Sequence, residues 1–98
     1  IDAMNNLAVL YKDQGDVKNA ENYYLKAIKE GEIYSFGNLA ALYYENNQHK
    51  NEALLYINKF LQENRDENSF KLAIIIEIWN GIFENVDAKI NKIFTEFG

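Results

Sequence analysis

Few side chains in this sequence are of the types that catalyse reactions. The single histidine, His49, lies in the polar stretch 46–50, and cysteine is absent, which excludes thiol chemistry and disulfides. The hydroxyl groups of Ser35, Ser69 and Thr95 have no second histidine or other base in a recognisable motif that could activate them. We therefore predict that the chain is not an enzyme, and we interpret His49 as a solvated loop residue.

An acidic cluster near the middle of the chain is the best candidate for a metal site. Glu63, Asp66 and Glu67 lie close together in the sequence, beside two asparagines. A calcium-binding EF-hand loop needs a glycine at its sixth position and a distant glutamate, and this stretch supplies neither. We expect a solvated connector rich in helix-capping groups, with no metal ion and no cofactor.

The overall composition predicts a folded, acidic domain. The 98 residues carry a formal net charge of -5, and 48% of them are hydrophobic, which is too many for a disordered chain. There is no basic stripe to neutralise phosphates, so nucleic acid is not an expected partner. No apolar run approaches the ~20 residues that cross a bilayer, so no membrane partner is expected either. The sequence begins at Ile1 without a signal-like segment. We therefore expect a fragment of a longer protein whose native N-terminus is missing. The location is accordingly left unknown, with the cytoplasm favoured.

An internal repeat determines the predicted architecture. Residues 1–15 align with residues 33–47 at an offset of 32. Six positions of this alignment are identical: Ile1/Ile33, Asn6/Asn38, Leu7/Leu39, Ala8/Ala40, Leu10/Leu42 and Tyr11/Tyr43. One inserted residue then shifts the offset to 33, which aligns Ala20 with Ala53. A weaker third copy aligns Phe70 with Phe36. We predict a single domain with repeats over about 1–31, 32–64 and 65–98.

Within each repeat the apolar residues follow a helical period. Met4, Leu7 and Tyr11 lie on one face of a helix, and glycines at 15, 31 and 81 can end helices in the left-handed conformation. Proline, which would interrupt helices, is absent. The predicted helices cover about 2–13, 17–30, 33–46, 50–63, 68–79 and 82–97. The fifth is apolar almost all round. Its third face either packs on the last helix or stays open for a partner, and we favour burial.

This repeat resembles the tetratricopeptide repeat, with some similarity to the related Sel1-like repeat. The positions that carry the resemblance in the first unit are Met4, Leu7, Ala8, Tyr11, Ala20, Tyr24 and Ala27. The sequence departs from the family pattern at three positions. Asn47 replaces the glycine of the turn, Phe60 replaces a small residue, and Glu77 replaces a tyrosine. The resemblance implies an all-α fold, a right-handed α-α superhelix of about three helix-turn-helix repeats with six antiparallel helices.

The resemblance also implies a scaffold for protein–protein interaction that binds a peptide or protein segment in its concave groove. In this family the first helix of each repeat lines that groove. The predicted groove residues are Asn5, Val9, Lys12, Tyr44, Lys71, Ile75, Ile78 and Trp79. Neighbouring groove positions are Asp2, Asp13, Tyr34, Gly37, Ala41, Glu45 and Asn68. Some members of the family hold the C-terminal carboxylate of a partner with lysine, arginine and asparagine side chains. The nearest equivalents here are Asn5, Asn38 and Lys71, and no arginine is present at these positions.

Two alternatives remain open. The segment could be a structural spacer, or could associate with itself end to end through Ala3, Leu7 and Leu10 on the first helix, without a dedicated ligand. The last helix is expected to be better protected, because Lys89, Asn91, Lys92 and Glu96 could form a polar outer side. Trp79 either anchors a partner at the rim of the groove or completes the core beneath Phe83 or the last helix.

Overall fold

A computed structural model describes residues 2–64, 66–84 and 86–96, which form six helices and contain no strand. The helices are α1 (Asp2–Asp13), α2 (Val17–Lys29), α3 (Tyr34–Glu45), α4 (Lys50–Glu63), α5 (Glu67–Trp79) and α6 (Val86–Glu96). Each packs on the next in chain order, and α3 also meets α5. This arrangement confirms the all-α helical-repeat superhelix. In the described ranges no helix combines the length and apolar character needed to span a membrane.

The turn after the first helix of each repeat shares one left-handed residue and one hydrogen bond, and the second repeat adds a further left-handed residue, His49, at φ 49°. The residue that ends the turn has a positive φ in every case: 81° at Gly15, 54° at Asn47 and 78° at Gly81. The next residue donates its N–H to the carbonyl five positions earlier, on Tyr11, Tyr43 and Glu77 respectively. Asparagine tolerates this conformation better than most residues, so Asn47 replaces the turn glycine. Because Glu77 accepts the same hydrogen bond as Tyr11 and Tyr43, it occupies the equivalent repeat position. The alignment of the third repeat with the first two therefore holds as far as this turn.

The second helix of the third repeat begins later than the sequence predicts. In the first repeat the carboxylate of Asp16 accepts the N–H of Asn19 at 3.2 Å and caps α2 directly after the turn. The corresponding residue of the third repeat is Ile82, whose side chain has no acceptor. The predicted helix start at 82 is therefore wrong: Ile82 and Phe83 lie in the connection, and α6 begins at Val86. The predicted end at 97 falls outside the described residues.

Small side chains allow the helices to approach one another closely. Ala8, Ala20, Ala27 and Ala40 are fully buried, as the sequence predicts. The largest buried side chains that pack with them are Tyr24, Leu39, Leu42, Ile57 and Ile76. By contrast, Ile93 is the one buried side chain described on α6. The core is therefore concentrated in the first five helices.

Aromatic pairs also repeat with the helices. The ring of Tyr11 stacks on Tyr23 with centroids 5.5 Å apart, and the equivalent rings Tyr43 and Tyr56 are 6.3 Å apart. Tyr43 additionally joins the first two repeats, because its hydroxyl donates a hydrogen bond of 2.7 Å to Glu21 Oε2 on α2. Burial is the main cause that raises the pKa of Tyr43 above its usual value, and this hydrogen bond is the second. The junction between α2 and α3 thus combines apolar packing with one specific polar contact.

The buried alanines give a direct test of the helix crossings. Ala40→Leu should lower the free energy of unfolding by about 1–3 kcal/mol, because the added carbons force apart a tightly packed crossing. The exposed Ala88→Leu is the matched control and should change stability by less than ~0.5 kcal/mol. Urea unfolding followed by circular dichroism measures both. An Ala40→Leu variant as stable as the wild type would contradict the close crossing.

The buried tyrosines predict a loss of stability at alkaline pH. Burial, with smaller contributions from Asp13 and Glu45, raises the pKa of Tyr24 to about 12 from its ordinary value of 10. The folded state therefore favours the neutral phenol, and its contribution to stability is complete below pH 10 and is lost as the pH rises through about 12. Tyr24→Phe should match the wild type near neutral pH and be more stable than it at pH above 10, by urea titration. Tyr34→Phe, at a residue 60% exposed, is the control for removing a hydroxyl and should change the free energy of unfolding by less than ~0.5 kcal/mol at neutral pH. If Tyr24→Phe lost as much free energy of unfolding as the wild type above pH 10, the raised pKa of Tyr24 would be contradicted.

Candidate functional site

A cleft of about 190 Å³ opens between α3 and α5, the first helices of the second and third repeats. The side chains at its base are apolar: Ile57 and Phe60 from α4 and Leu72 from α5. The residues around them are Tyr34, Gly37, Asn38, Ala41, Asn68 and Ser69. The structure thus brings together four of the neighbouring groove positions, Tyr34, Gly37, Ala41 and Asn68. The cleft has an apolar base and a rim of amide and hydroxyl groups.

The cleft depends on a pairing between Gly37 and Phe60. A Cβ atom built on Gly37 would lie 3.4 Å from the Phe60 ring, so the ring packs directly against the backbone of α3. In the first repeat the equivalent pair is Asn5 and the small residue Ala27. A large residue on α4 is therefore accommodated because its partner on α3 lacks a side chain. The Phe60 ring also meets Tyr34 at a centroid distance of 6.0 Å.

Asn5 holds the first helices of two repeats side by side. Its Oδ1 accepts hydrogen bonds from Ser35 Oγ at 3.1 Å and from Asn38 Nδ2 at 3.0 Å. The predicted groove residue Asn5 is thus a link between α1 and α3. Lys71, at the other end of the proposed carboxylate site, lies 3.8 Å from Glu67 on its own helix. Because these groups already have partners within the chain, the geometry gives no support to carboxylate capture.

Trp79 is half-buried and packs against the second repeat. Its Nε1 donates to Asn47 Oδ1 at 3.2 Å, and its ring meets Tyr44 edge-to-face with centroids 5.5 Å apart. The ammonium of Lys50 lies 5.6 Å from the indole centroid. The indole is also among the partly buried side chains that pack against the core, and Phe83 is itself 67% exposed. The indole therefore joins α5 to the turn between α3 and α4, and Tyr44 extends the exposed aromatic surface beside it.

The other predicted groove residues do not line the cleft between α3 and α5. Val9 and Lys12 are half-buried on α1, away from the cleft between α3 and α5. Ile75, which is 41% exposed, lies one helical turn before Trp79 on α5. Ile78, which is 40% exposed, lines a separate cleft of about 310 Å³ at the start of α6. The last helix packs on α5, but Ile75 and Ile78 stay about 40% exposed, so the apolar surface of α5 is covered only in part.

The cleft between α3 and α5 is a feature that the eight predicted site residues miss. None of them lines it, although Asn5 bonds to Asn38, which does. One sequence signal was present: a glycine inside a helix pattern at 37 coincides with a large residue at 60, where a small one is expected. Read together, these two departures indicate a close approach of ring to backbone.

A polar cluster lies where α2, α3 and α4 meet, beside a cleft of about 360 Å³. His49 packs on the Tyr43 ring with centroids 4.8 Å apart, and its ring nitrogens face two carboxylates, Glu52 at 3.3 Å and Glu21 at 3.7 Å. Its side chain is about half exposed, as expected for the start of a helix. Within the described ranges no group of three or more acidic, histidine or cysteine side chains is placed to hold a metal ion.

Comparison with known proteins identifies the family of the first hairpin. Residues 1–31, which span α1 and α2, match the family model of the tetratricopeptide repeat. A search of curated proteins finds no significant match. The matched unit is the one in which every family position is filled, and its turn geometry recurs at Asn47 and Gly81. The chain is thus an all-α helical-repeat protein whose first unit, residues 1–31, matches the tetratricopeptide-repeat family.

Proposed function

We propose that this chain is a protein-interaction scaffold that binds an extended or helical protein segment along α3 and α5. Tetratricopeptide repeats are typically non-catalytic scaffolds for protein–protein interaction. The observation that supports a specific site here is the apolar base of the cleft, formed by Ile57, Phe60 and Leu72. This base lies between α3 and α5, where a bound partner segment would contact it.

The size of the cleft favours one side chain of a longer segment over a small molecule. Small-molecule sites typically enclose about 300–1,000 Å³, whereas this cleft has about 190 Å³. An apolar side chain of the partner would fill the base. The amide of Asn68 lines the cleft and can bond the main chain of the bound segment. The Asn38 amide already donates to Asn5 and the Ser69 hydroxyl already donates to Asp66, so in this role each would act mainly as an acceptor.

Exposed aromatic side chains extend the proposed site along the same two helices. Tyr34 is 60% exposed at one end of the cleft, and Tyr44 is 38% exposed further along α3, against Trp79. Aromatic residues are over-represented among those that dominate binding energy. Ile75 lies beside Trp79 on α5 and adds apolar surface. We assign Asn5 a supporting role, because its amide holds α1 against α3.

Peptides selected from a random displayed library against the wild-type chain test this proposal. Tyr34→Ala should weaken the binding of selected peptides by about tenfold, equivalent to ~1.4 kcal/mol, while leaving thermal stability nearly unchanged. Tyr44→Ala should act in the same direction. Isothermal titration calorimetry measures the affinity, and the emission of Trp79 reports occupancy of the neighbouring surface.

The matched control is Leu55→Ala, which removes a leucine 51% exposed on α4 that does not line the cleft. It should leave peptide affinity unchanged. Selection of no peptide, or of peptides that bind Tyr34→Ala and Tyr44→Ala as tightly as the wild type, would refute the groove and favour the spacer alternative. Trp79→Ala is a poorer test, because removing the indole also breaks its contacts with Tyr44 and Asn47.

A further inference from the structure

We propose that Asn80 is a modification site at which the chain deamidates spontaneously when the turn after α5 opens, and that the product releases α5 from the start of α4. Deamidation converts a side-chain amide, which donates hydrogen bonds, to a carboxylate, which only accepts them. The proposal is independent of peptide binding, because it concerns the turn after α5 and none of the residues that line the cleft between α3 and α5.

The sequence around Asn80 is chemically suited to this reaction. Asn80 is followed by Gly81, and no other asparagine of the chain precedes a glycine. The backbone nitrogen of Gly81 loses its proton and attacks Cγ of Asn80, the amide group takes up a proton and leaves as ammonia, and a cyclic succinimide forms. Water then opens the ring to aspartate or isoaspartate. Glycine has no Cβ to crowd the attacking nitrogen, and water is the sole co-reactant.

The second repeat contains an equivalent asparagine, which serves as an internal reference. Asn46 and Asn80 each donate from Nδ2 to the carbonyl oxygen four residues earlier, at 2.8 Å and 2.9 Å respectively. Each is followed by a residue with a positive φ, 54° at Asn47 and 78° at Gly81. Asn47, however, carries a side chain beside the nitrogen that would attack. The two asparagines are therefore held alike by their own helices, and Asn80 is the one with an unhindered nitrogen next to it.

The folded state restrains the reacting groups, so the turn must open first. The N–H of Gly81 donates to the carbonyl of Ile78 at 2.9 Å. The amide of Asn80 is held from α4 as well, because its Nδ2 also donates to the carbonyl of Lys50 at 3.1 Å. The helix that follows is weakly packed, since Ile93 is the one buried side chain described on α6, and segments with few buried contacts open readily. The fold therefore slows deamidation at Asn80 without preventing it.

The product does not fit the contacts that Asn80 makes. A carboxylate at this position faces the carbonyl oxygens of Ile76 and Lys50 and has no N–H to donate to them. It also adds negative charge at the C-terminal end of α5, where the helix dipole is already negative. The bond from Trp79 Nε1 to Asn47 Oδ1 is then the polar contact that still joins α5 to the turn before α4. Deamidation thus weakens the junction between the second and third repeats, and because ammonia is lost the change accumulates as the protein ages.

Tandem mass spectrometry of tryptic peptides tests the reaction in the purified chain, incubated at mildly alkaline pH without any enzyme. Asn80 should deamidate faster than Asn46 in the folded chain and should yield isoaspartate. In guanidinium chloride the reaction at Asn80 should run at least ~10-fold faster, because the hydrogen bonds that restrain it are broken. Gly81→Asn introduces the residue that the second repeat has in this turn, so it should preserve the fold and slow the reaction to the rate at Asn46.

Asn80→Asp reproduces the aspartate product and tests the release of α5. It should lower the midpoint of thermal unfolding more than Asn46→Asp does. Asn46→Asp is the matched control, because the described hydrogen bond of the Asn46 amide stays within its own helix.

Three outcomes would overturn the proposal. Deamidation of Asn80 no faster than that of Asn46 would remove the modification site, and equal rates in the folded and unfolded chain would show that the turn does not control it. An Asn80→Asp variant as stable as Asn46→Asp would refute the release of α5. None of these measurements involves a bound peptide, so this proposal and the proposed function fail separately.

Discussion

A two-helix unit cannot bury all of its apolar surface within itself, and the packing of each helix on the next follows from that constraint. The first helix of a unit must pack on its own partner and on the second helix of the preceding unit. Leu39 and Leu42 on α3 show the result, since both are fully buried between such neighbours. Leu7 and Leu10, the equivalent residues on α1, stay exposed, because the described residues include no helix that packs on that face. Burial in this fold is therefore a property of junctions more than of individual helices.

Polar contacts give these junctions their register. Apolar packing alone tolerates sliding, but the amide of Asn5 meets two donors on α3, and Tyr43 meets a single carboxylate on α2. No described buried side-chain nitrogen or oxygen lacks a hydrogen-bond partner. A satisfied polar contact at a packed junction favours one alignment over its neighbours, because a shift would leave buried groups unpaired. The first and second repeats are held in this way.

Most of the fold was predictable because the helical period and the internal repeat are properties of sequence alone. The turn at Asn47 followed from its alignment with Gly15, and its left-handed conformation confirms the equivalence. The start of α6 was missed because periodicity continues through Ile82 and Phe83, although no capping group is present there. The cleft was missed for a different reason. It depends on how two distant departures, Gly37 and Phe60, compensate each other in space, and neither residue alone predicts it.

The chain-order packing of the helices has a kinetic consequence. Nearly all helix contacts join elements that are neighbours in sequence, with the α3–α5 approach and the Asn5 amide bonds as longer-range exceptions. Such local topologies fold quickly, on about the microsecond to millisecond scale, because little loop entropy is lost before contacts form. Each hairpin can thus form early and act as a template for the next one. The same locality means that a hairpin could be duplicated or deleted in evolution without redesigning the rest of the array.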